Sequence, residues 1–523
     1  MHKIFLLLRT VRYLAAKQII YQIYYNLKPK QTLGFYKDVS ANFSPLQFSL
    51  HYFSPAHYKE NSTFEFLNRQ HTFQNAIDWN FQQYGKLWNY NLQYFNFLHQ
   101  QNISNQQKKY WLHDINEWLY SGKLPLESYP VSLRAINTIR YLSLNQIKDS
   151  SIVEALYAQL NYLYHNPEFH LLGNHLLENA FALLMGAQVF NKKSWYIKAK
   201  KILKKELEEQ ILEDGGHFEQ SVMYHQIITF RMLELIDWYR SVENPDAAFL
   251  QLIETTTIKM LDWLKTMSFK NNTIPHFNDS ANNVAFTSDE IFAFAASLKL
   301  PAPKHISLKD SGYRRFSYNN YECIVDAGNI TASYQPGHNH ADALSFVLNY
   351  NNKPVIIDTG TSTYETGETR NFERSTAAHN TVTVNNKNQS EVWGSFRVAG
   401  RARVNIINET SLSLEASHNG YKQLNTMHKR SFYFNETSIK IIDVINGSKN
   451  NDAVFYLHFH PASNVEKEKE IIKVDSAIIS VEGAKNIKLG SYKFASEFNK
   501  CIDAKVLIIE FDKSLETLIN FIV

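Results

Sequence analysis

The chain has 523 residues, 54 Lys and Arg against 50 Asp and Glu, a formal net charge of +4 and two cysteines, Cys323 and Cys501. Two cysteines exclude a disulfide framework and a Cys-rich zinc module. With 18 Gly and 13 Pro, collagen-like and low-complexity chains are excluded too. A charge this small gives no reason to expect a nucleic-acid partner, which needs basic residues gathered on one face. The length suits two or three domains at about 150 residues each, with cores that need no covalent staple. The aromatic content is high: 30 Tyr, 34 Phe and 8 Trp, or 14%.

Met1 to Leu8 reads MHKIFLLL, a basic start and then an apolar run. The run Ile4 to Leu8 is shorter than the ~7–15 residues of an export signal, and Arg9, Arg12 and Lys17 interrupt the segment after it. Ile4 to Leu27 reads as one amphipathic helix, docked on the domain or lying on a membrane surface. A cytoplasmic or membrane-peripheral location, with peripheral membrane contact through this helix, is the expectation. No later stretch reaches the ~20 apolar residues of a transmembrane helix.

Up to about Leu300 the apolar residues recur at three- and four-residue steps. Helices are predicted over Lys108–Tyr120, Pro130–Leu144, Ile152–Tyr164, Leu176–Phe190, Ser194–Leu212, Val222–Val242, Phe249–Met267 and Ser288–Leu298. So many consecutive helices of this length predict stacked antiparallel hairpins, as a bundle or a ring. From about Ser311 the period becomes two. Arg403–Leu414, Ser431–Ile445, Ala453–His460, Ile471–Val481 and Lys505–Phe511 read as strands, bounded by Asn, Asp, Gly or Ser. A run of helices followed by a run of strands predicts an all-α unit and then an all-β unit, a β-sandwich, with the boundary near Pro301–Asp310. The predicted division is a helical extension over 1–80, a helical domain over 81–305 and a β domain over 306–523.

Three polar clusters fall where apolar elements meet, the usual place for reactive groups. In the first, Gly173 to Asn179, Asn174 and Glu178 share one helical stripe, and His175 and Asn179 share the next. An N-cap with its first-turn hydrogen bonds accounts for them equally well. The second, Asp214 to Gln226, has a Gly215-Gly216 turn, with Gln220 and Tyr224 four apart. A phenol near its ordinary pKa of about 10 is a proton donor at neutral pH, and a base only when neighbours lower that value. The third spans Gln335–Asp342, Asp358–Gly360 and Arg374–Thr381. His340, Asp358 and His379 supply two imidazoles and a carboxylate, a donor set suited to Zn2+ or to a metal-free His/Asp network. A hairpin turning at Asn351-Asn352 pairs positions whose numbers sum to 703 and places Asp358 opposite Ser345, so the chain before Leu344 must bend back to bring His340 in.

Together the segments GNHLLENA (Gly173–Ala180), DGGHFEQSVMYH (Asp214–His225), PGHNHADALSF (Pro336–Phe346), PVIIDTGTSTY (Pro354–Tyr364) and RSTAAHNTVTV (Arg374–Val384) resemble the heparinase II/III-like polysaccharide lyases, in that family's order. The resemblance implies an incomplete (α/α) toroid followed by an antiparallel β-sandwich. It implies a carbon-oxygen lyase that cleaves a uronic-acid-containing acidic polysaccharide by β-elimination. It assigns catalytic roles to Asn174, His175, Tyr224 and His338, with Tyr224 as acid and base and Asn174 and His338 neutralising the uronate. Glu178, Gln220 and Arg374 would contact substrate, as would Trp88 and Tyr90 in the aromatic segment Asn80–Leu98. His340, Asp358 and His379 would hold a structural Zn2+. Tyr364 is the candidate second tyrosine. The alternatives are a metal-dependent glycan hydrolase, or a non-catalytic acidic-glycan-binding protein of surface polysaccharide biosynthesis.

Overall fold

The helical half is built from alternating inner and outer helices because the sequence supplies two kinds. A computed structural model describes residues 2–29, 31–49, 54–447 and 451–522. Its helices are α1 (His2–Val11), α2 (Ala16–Leu27), α3 (Lys86–Tyr94), α4 (Asn105–Tyr120), α5 (Ser128–Leu144), α6 (Ser150–His165), α7 (Gly173–Val189), α8 (Lys193–Gln210), α9 (Val222–Tyr239), α10 (Ala247–Met267) and α11 (Ser288–Ser297). Helices α5, α7 and α9 are buried nearly all round, and charged groups inside them are paired, as Arg140 is with Glu234 at 2.6 Å. Helix α8 buries one stripe, Trp195, Ala199, Ile202, Leu203, Glu206 and Leu207, and turns its lysines and its other glutamates, Glu208 and Glu209, outward. The packing reflects this: α3, α5, α7, α9 and α11 touch in succession, with α6, α8 and α10 packed against them and α4 against α6. This is an incomplete (α/α) toroid.

The predicted helices recur to within a few residues at each end. The N-terminal segment differs: it is two helices, because Arg12 to Ala15 break the ladder predicted as continuous from Ile4 to Leu27.

Besides two short two-stranded pairs, Thr63–Phe66 with Arg69–Thr72 and Val392–Trp393 with Arg397–Val398, the described strands form two main sheets with a shared core. The smaller runs in the order Tyr313–Ser317, Tyr321–Asp326, Phe346–Tyr350, Lys353–Ile356, all antiparallel. The larger includes long strands Ala477–Glu497 and Lys500–Phe521, paired along their length. Phe316, Cys323 and Leu348 of the first sheet bury against Phe432, Ile441 and Leu507 of the second, and Phe316 stacks on Phe434 at 3.9 Å. That is sandwich packing. Three segments predicted as single strands are hairpins instead: Val404–Glu409 with Ser413–His418, Thr426–Phe434 with Ser438–Gly447, and Ile471–Val474 with the start of Ala477–Glu497. The turns fall at Thr410-Ser411-Leu412, Asn435-Glu436-Thr437 and Asp475-Ser476, inside the apolar pattern.

The predicted turn at Asn351-Asn352 is present, both residues at positive φ, 50° and 59°, as a type I′ hairpin requires. Tyr350↔Lys353 and Asn349↔Pro354 sum to 703, and a bulge then shifts the register at Leu348↔Ile356. Leu344, at φ 61°, supplies the bend that turns the preceding chain back.

One buried ion cluster ties the sandwich together. Arg430 is fully buried; its Nε donates to Asp443 Oδ1 at 2.7 Å and its Nη1 to the carbonyls of Leu344 and Asn380 at 2.8 and 2.7 Å. His428 Nε2 meets the same Asp443 oxygen at 2.6 Å. Removing one member of a buried pair strands the other charge, at about 3–5 kcal/mol. Arg430→Ala is therefore expected to destabilise the sandwich by about that amount, measured as a lowered urea midpoint of the β-rich transition in far-ultraviolet circular dichroism.

Candidate active site

A cleft of about 1730 Å3 lies between the two halves, lined from α1 and α2 through Tyr129, Asn174, His175, Tyr224 and Arg231 to His338, Tyr364 and Phe396. Its chemistry comes from the first turns of successive inner helices, facing a loop of the sandwich.

Asn174 opens α7. The chain enters through Leu172 and Gly173, both at positive φ. A Cβ on Gly173 would lie 2.3 Å from Gln335 Oε1 and 2.7 Å from Glu219 Oε1, so only glycine allows this approach. Asn174 Nδ2 donates to Glu219 Oε2 at 3.3 Å, its backbone N–H approaches Glu219 Oε1 at 3.4 Å, and its Oδ1 finds no partner among the described residues. Burial pushes the Glu219 carboxyl up, against the opposing pull of His338 and Asn174. His175 stacks on Tyr129 at 4.1 Å and meets Glu168 Oε1 at 3.3 Å. Glu178 accepts from Arg231 Nε at 3.1 Å; burial raises its pKa and Arg231 opposes the rise.

Tyr224 opens α9, whose N-cap is Ser221: the Ser221 hydroxyl accepts from the Tyr224 N–H. The Tyr224 ring lies over the imidazole of His338, centroids 4.0 Å apart, and its hydroxyl is 3.3 Å from that of Tyr364. Burial raises the phenol well above its usual range, while the Tyr364 hydroxyl pulls the other way. His338 Nδ1 meets Asp279 Oδ2 at 2.9 Å, which leaves Nε2 on the side of Glu219, 3.7 Å from its Oε2.

Asp279 is the hub behind this wall. It holds His338, His340 Nε2 at 2.9 Å and both terminal nitrogens of Arg370, and is 1% exposed. Burial opposes its ionisation, but Arg370 and the two imidazoles prevail and hold the carboxyl well below its ordinary value. Sequence reasoning missed Asp279, Arg370, Glu219, Glu168 and Tyr129. The one signal for Asp279 was its place in a short polar stretch, Asn278-Asp279-Ser280, after the apolar Ile274-Pro275-His276-Phe277.

Of the predicted site residues, Asn174, His175, Glu178, Tyr224, His338 and Tyr90 line the cleft. Tyr90 donates to Glu127 Oε2 at 2.5 Å, and Glu127 also takes Lys86 at 2.6 Å. Three others do not reach it. Trp88 is 1% exposed, packed on Phe66 and Phe81 with its Nε1–H on the Arg69 carbonyl, so it is core and not cleft wall. Arg374 is fully buried and spends its guanidinium on the carbonyls of Asn339, Gly394 and Arg397. Gln220 is buried against Ser311, Thr331 and Asn339. Arg374 and Gln220 therefore brace the loop that carries His338 and do not line the cleft.

His340, Asp358 and His379 are brought together behind this loop. His379 Nδ1 meets Asp358 Oδ2 at 2.6 Å, and the two imidazole centroids are 5.2 Å apart. His340 Nδ1 and His379 Nε2 are both buried without a hydrogen-bond partner. Two partnerless imidazole nitrogens beside a carboxylate fit a zinc ion, although no group of three such residues closes around one point among the described residues.

Models of the heparinase II/III N-terminus and of the heparinase II/III-like C-terminal domain match residues 138–297 and 301–521. A heparin-sulfate lyase of Bacteroides stercoris is 26% identical over 368 residues, 62% of this chain and 52% of the relative, so the chain spans about half that protein's length. Among solved structures, heparinase III superposes with a TM-score of 0.66 at 16% identity, over 86% of this chain and 80% of the other. A heparan sulfate lyase mutant from Pedobacter heparinus gives 0.61 at 19%, over 88% and 81%. Both likenesses are in fold. With the two domain models matched in order across most of its length, the chain belongs to the heparinase II/III-like family.

Proposed function

We propose that the protein is a polysaccharide lyase that cleaves a uronic-acid-containing polymer by β-elimination. The observation that carries this reading is the convergence of Asn174, Tyr224 and His338 on one stretch of cleft wall, each backed by a buried acid or a second tyrosine. The names and activities of the relatives support the same class.

The reaction needs three services: a base for the C5 proton, partners for the charge that develops on the uronate, and an acid for the departing O4. A phenol raised by burial keeps its proton at neutral pH, which suits Tyr224 as the acid. His338, its Nδ1 turned to Asp279, offers Nε2 as the base. Asn174 faces the carboxylate. If Glu219 is protonated, as its raised pKa favours, it can donate to Oδ1 of a flipped Asn174 amide and free Nδ2 for the uronate. The C5–H bond breaks to His338, its electrons form the C4–C5 double bond, the C4–O4 bond breaks, and O4 takes the Tyr224 proton. The imidazolium and phenolate so formed are in ring contact, which gives the proton a short path home.

Three of the five lining Lys and Arg already face carboxylates, while Arg397 and Arg401 lie over the rings of Trp393 and Tyr13. Lys59 faces Glu65, Lys86 faces Glu127 and Arg231 faces Glu178. Such a cleft suits a polymer charged by carboxylate alone better than one dense in sulfate. Among alginate, hyaluronan, chondroitin, heparan and heparin, the less sulfated uronans are expected to give the faster rise in double-bond absorbance. Tyr224→Phe and His338→Ala should each cut turnover by about 10²–10⁴-fold. A substrate with a good leaving group at O4 should relieve the first loss and not the second. Saturated reducing ends among the products would replace elimination with hydrolysis.

We further propose that His340, Asp358 and His379 bind a structural Zn2+, which when bound would fix the turn carrying His338. Metal analysis of the purified protein should find about one zinc per chain, retained in Tyr224→Phe and lost in His379→Ala with a lower melting temperature. Protein that is fully folded and free of zinc would remove this assignment.

A further inference from the structure

The first 37 residues contain seven Lys and Arg (3, 9, 12, 17, 28, 30 and 37) and no Asp or Glu. The remainder then has 47 basic residues against 50 acidic. The whole positive excess of the chain therefore sits on its first 37 residues, and the body behind them is slightly acidic.

The two helices in that segment have three distinct sides. One docks. Leu6 is buried, Arg9 pairs with Glu391 at 2.8 Å, Trp393 Nε1–H donates to the Thr10 hydroxyl at 3.1 Å, and Arg401 lies over the Tyr13 ring at 3.7 Å. In α2, Tyr25 donates to the Pro167 carbonyl and Tyr21 packs on Phe169. A second side, with Leu7, Val11, Ile19 and Ile23, lines the cleft. The third faces outward: Ile4, Phe5, Leu8, Ile20, Tyr24 and Leu27 are 49–79% exposed and line no cavity. Of the 24 exposed large hydrophobic residues among the described ones, ten lie on these two helices. Single exposed apolar residues need no account, but a contiguous apolar face does.

We propose that the outward face of α1 and α2 docks on an anionic phospholipid surface. Large aliphatic and aromatic side chains on one face of a helix, flanked by Lys and Arg, are the composition that lies in the bilayer interface. Basic side chains at such a face are drawn to anionic headgroups. The charge selects this occupant over a second copy, because Lys3 and Arg12 are exposed on a segment that has no carboxylate of its own, and two such segments would repel each other. The helices are also too short and too polar to cross: among the described residues no helix could span a membrane. Because the same helices edge the cleft, docking sets the cleft mouth beside the bilayer, where a membrane-borne polymer would be presented.

The test is flotation of the full chain with vesicles of phosphatidylcholine alone or of phosphatidylcholine with phosphatidylglycerol. The expected result is binding to the anionic vesicles, weakened by salt, and little binding to the neutral ones. Leu8→Ser/Ile20→Ser/Leu27→Ser should lower the bound fraction at least ~tenfold, and Lys3→Glu/Arg12→Glu should remove the preference for phosphatidylglycerol. Since none of these side chains lines the cleft, cleavage of a soluble oligosaccharide should be unchanged, so this test and that of the lyase reading fail separately. No binding, equal binding to both vesicles, or binding unmoved by the substitutions overturns the proposal. A lipid-free dimer dissociated by the triple substitution overturns it in favour of a second copy.

Discussion

The carboxylate of Asp279 is the point on which the two halves of this protein agree. It lies in the loop between α10 and α11, in the helical half, and all its strong partners come from the sandwich: Arg370 in two bonds, His338 and His340 in one each. A carboxylate this buried is tolerable only because a guanidinium meets it as a fork and the imidazoles take up the remaining lone pairs. The arrangement is costly to break from either side, because each partner left alone would be a buried charge or an unpaired donor. It therefore fixes the relative placement of the halves, and with it the cleft between them. It also fixes the ring of His338, whose Nδ1 it holds, so one ion cluster sets both the width of the cleft and the direction of its most reactive nitrogen.

Around that anchor the scaffold repeats one device. Inner helices of the toroid begin at the cleft, and the first turns of α7 and α9 carry Asn174 and Tyr224. The toroid needs buried, largely apolar inner helices to pack, and their polar groups sit mainly in the turns nearest the cleft or in buried pairs such as Arg140 with Glu234. Helix N-termini also carry partial positive charge, which favours an anionic ligand there. The aromatic richness divides along the same line. Trp79, Trp88, Trp111, Trp238 and Trp263 are fully buried and fill the toroid core, while tyrosines, with a hydroxyl to satisfy, take the cleft wall at 90, 129, 224 and 364.

The architecture was legible because period is a backbone property. The change from 3.6 to 2 near residue 301 needs no tertiary information, and the helices track it closely. The misread elements share a cause. Arg403–Leu414 and Ser431–Ile445 each continue an apolar pattern across a turn, so pattern alone could not see the reversal. The N-terminal break at residues 12–15 falls inside an unbroken apolar face. For the site, the motif-bearing side chains were legible and their partners were not. Asp279 lies 59 residues from His338 in sequence, and nothing local marks it as that histidine's partner. Trp88, Gln220 and Arg374 were misplaced for the converse reason: a residue type suited to sugar or carboxylate is equally suited to a buried hydrogen bond, and only packing separates the two uses.

The net charge of +4 has a different meaning once it is located. A polyanion-processing enzyme is expected to hold its ligand with a positive field, yet the cationic excess lies on α1, α2 and the residues just after them, at the edge of the cleft and not on its floor. Three of the five cations lining the cleft are matched by carboxylates, so much of the field inside is balanced and salt should screen less of what binds there than at the basic helices. Under the proposed elimination a uronate is recognised at short range, by the amide of Asn174 and the ring of His338, where a single hydrogen bond counts for more than in solvent. Long-range attraction and local recognition are thus assigned to different parts of the chain: the basic helices act over a Debye length on a charged surface, and the cleft discriminates by contact.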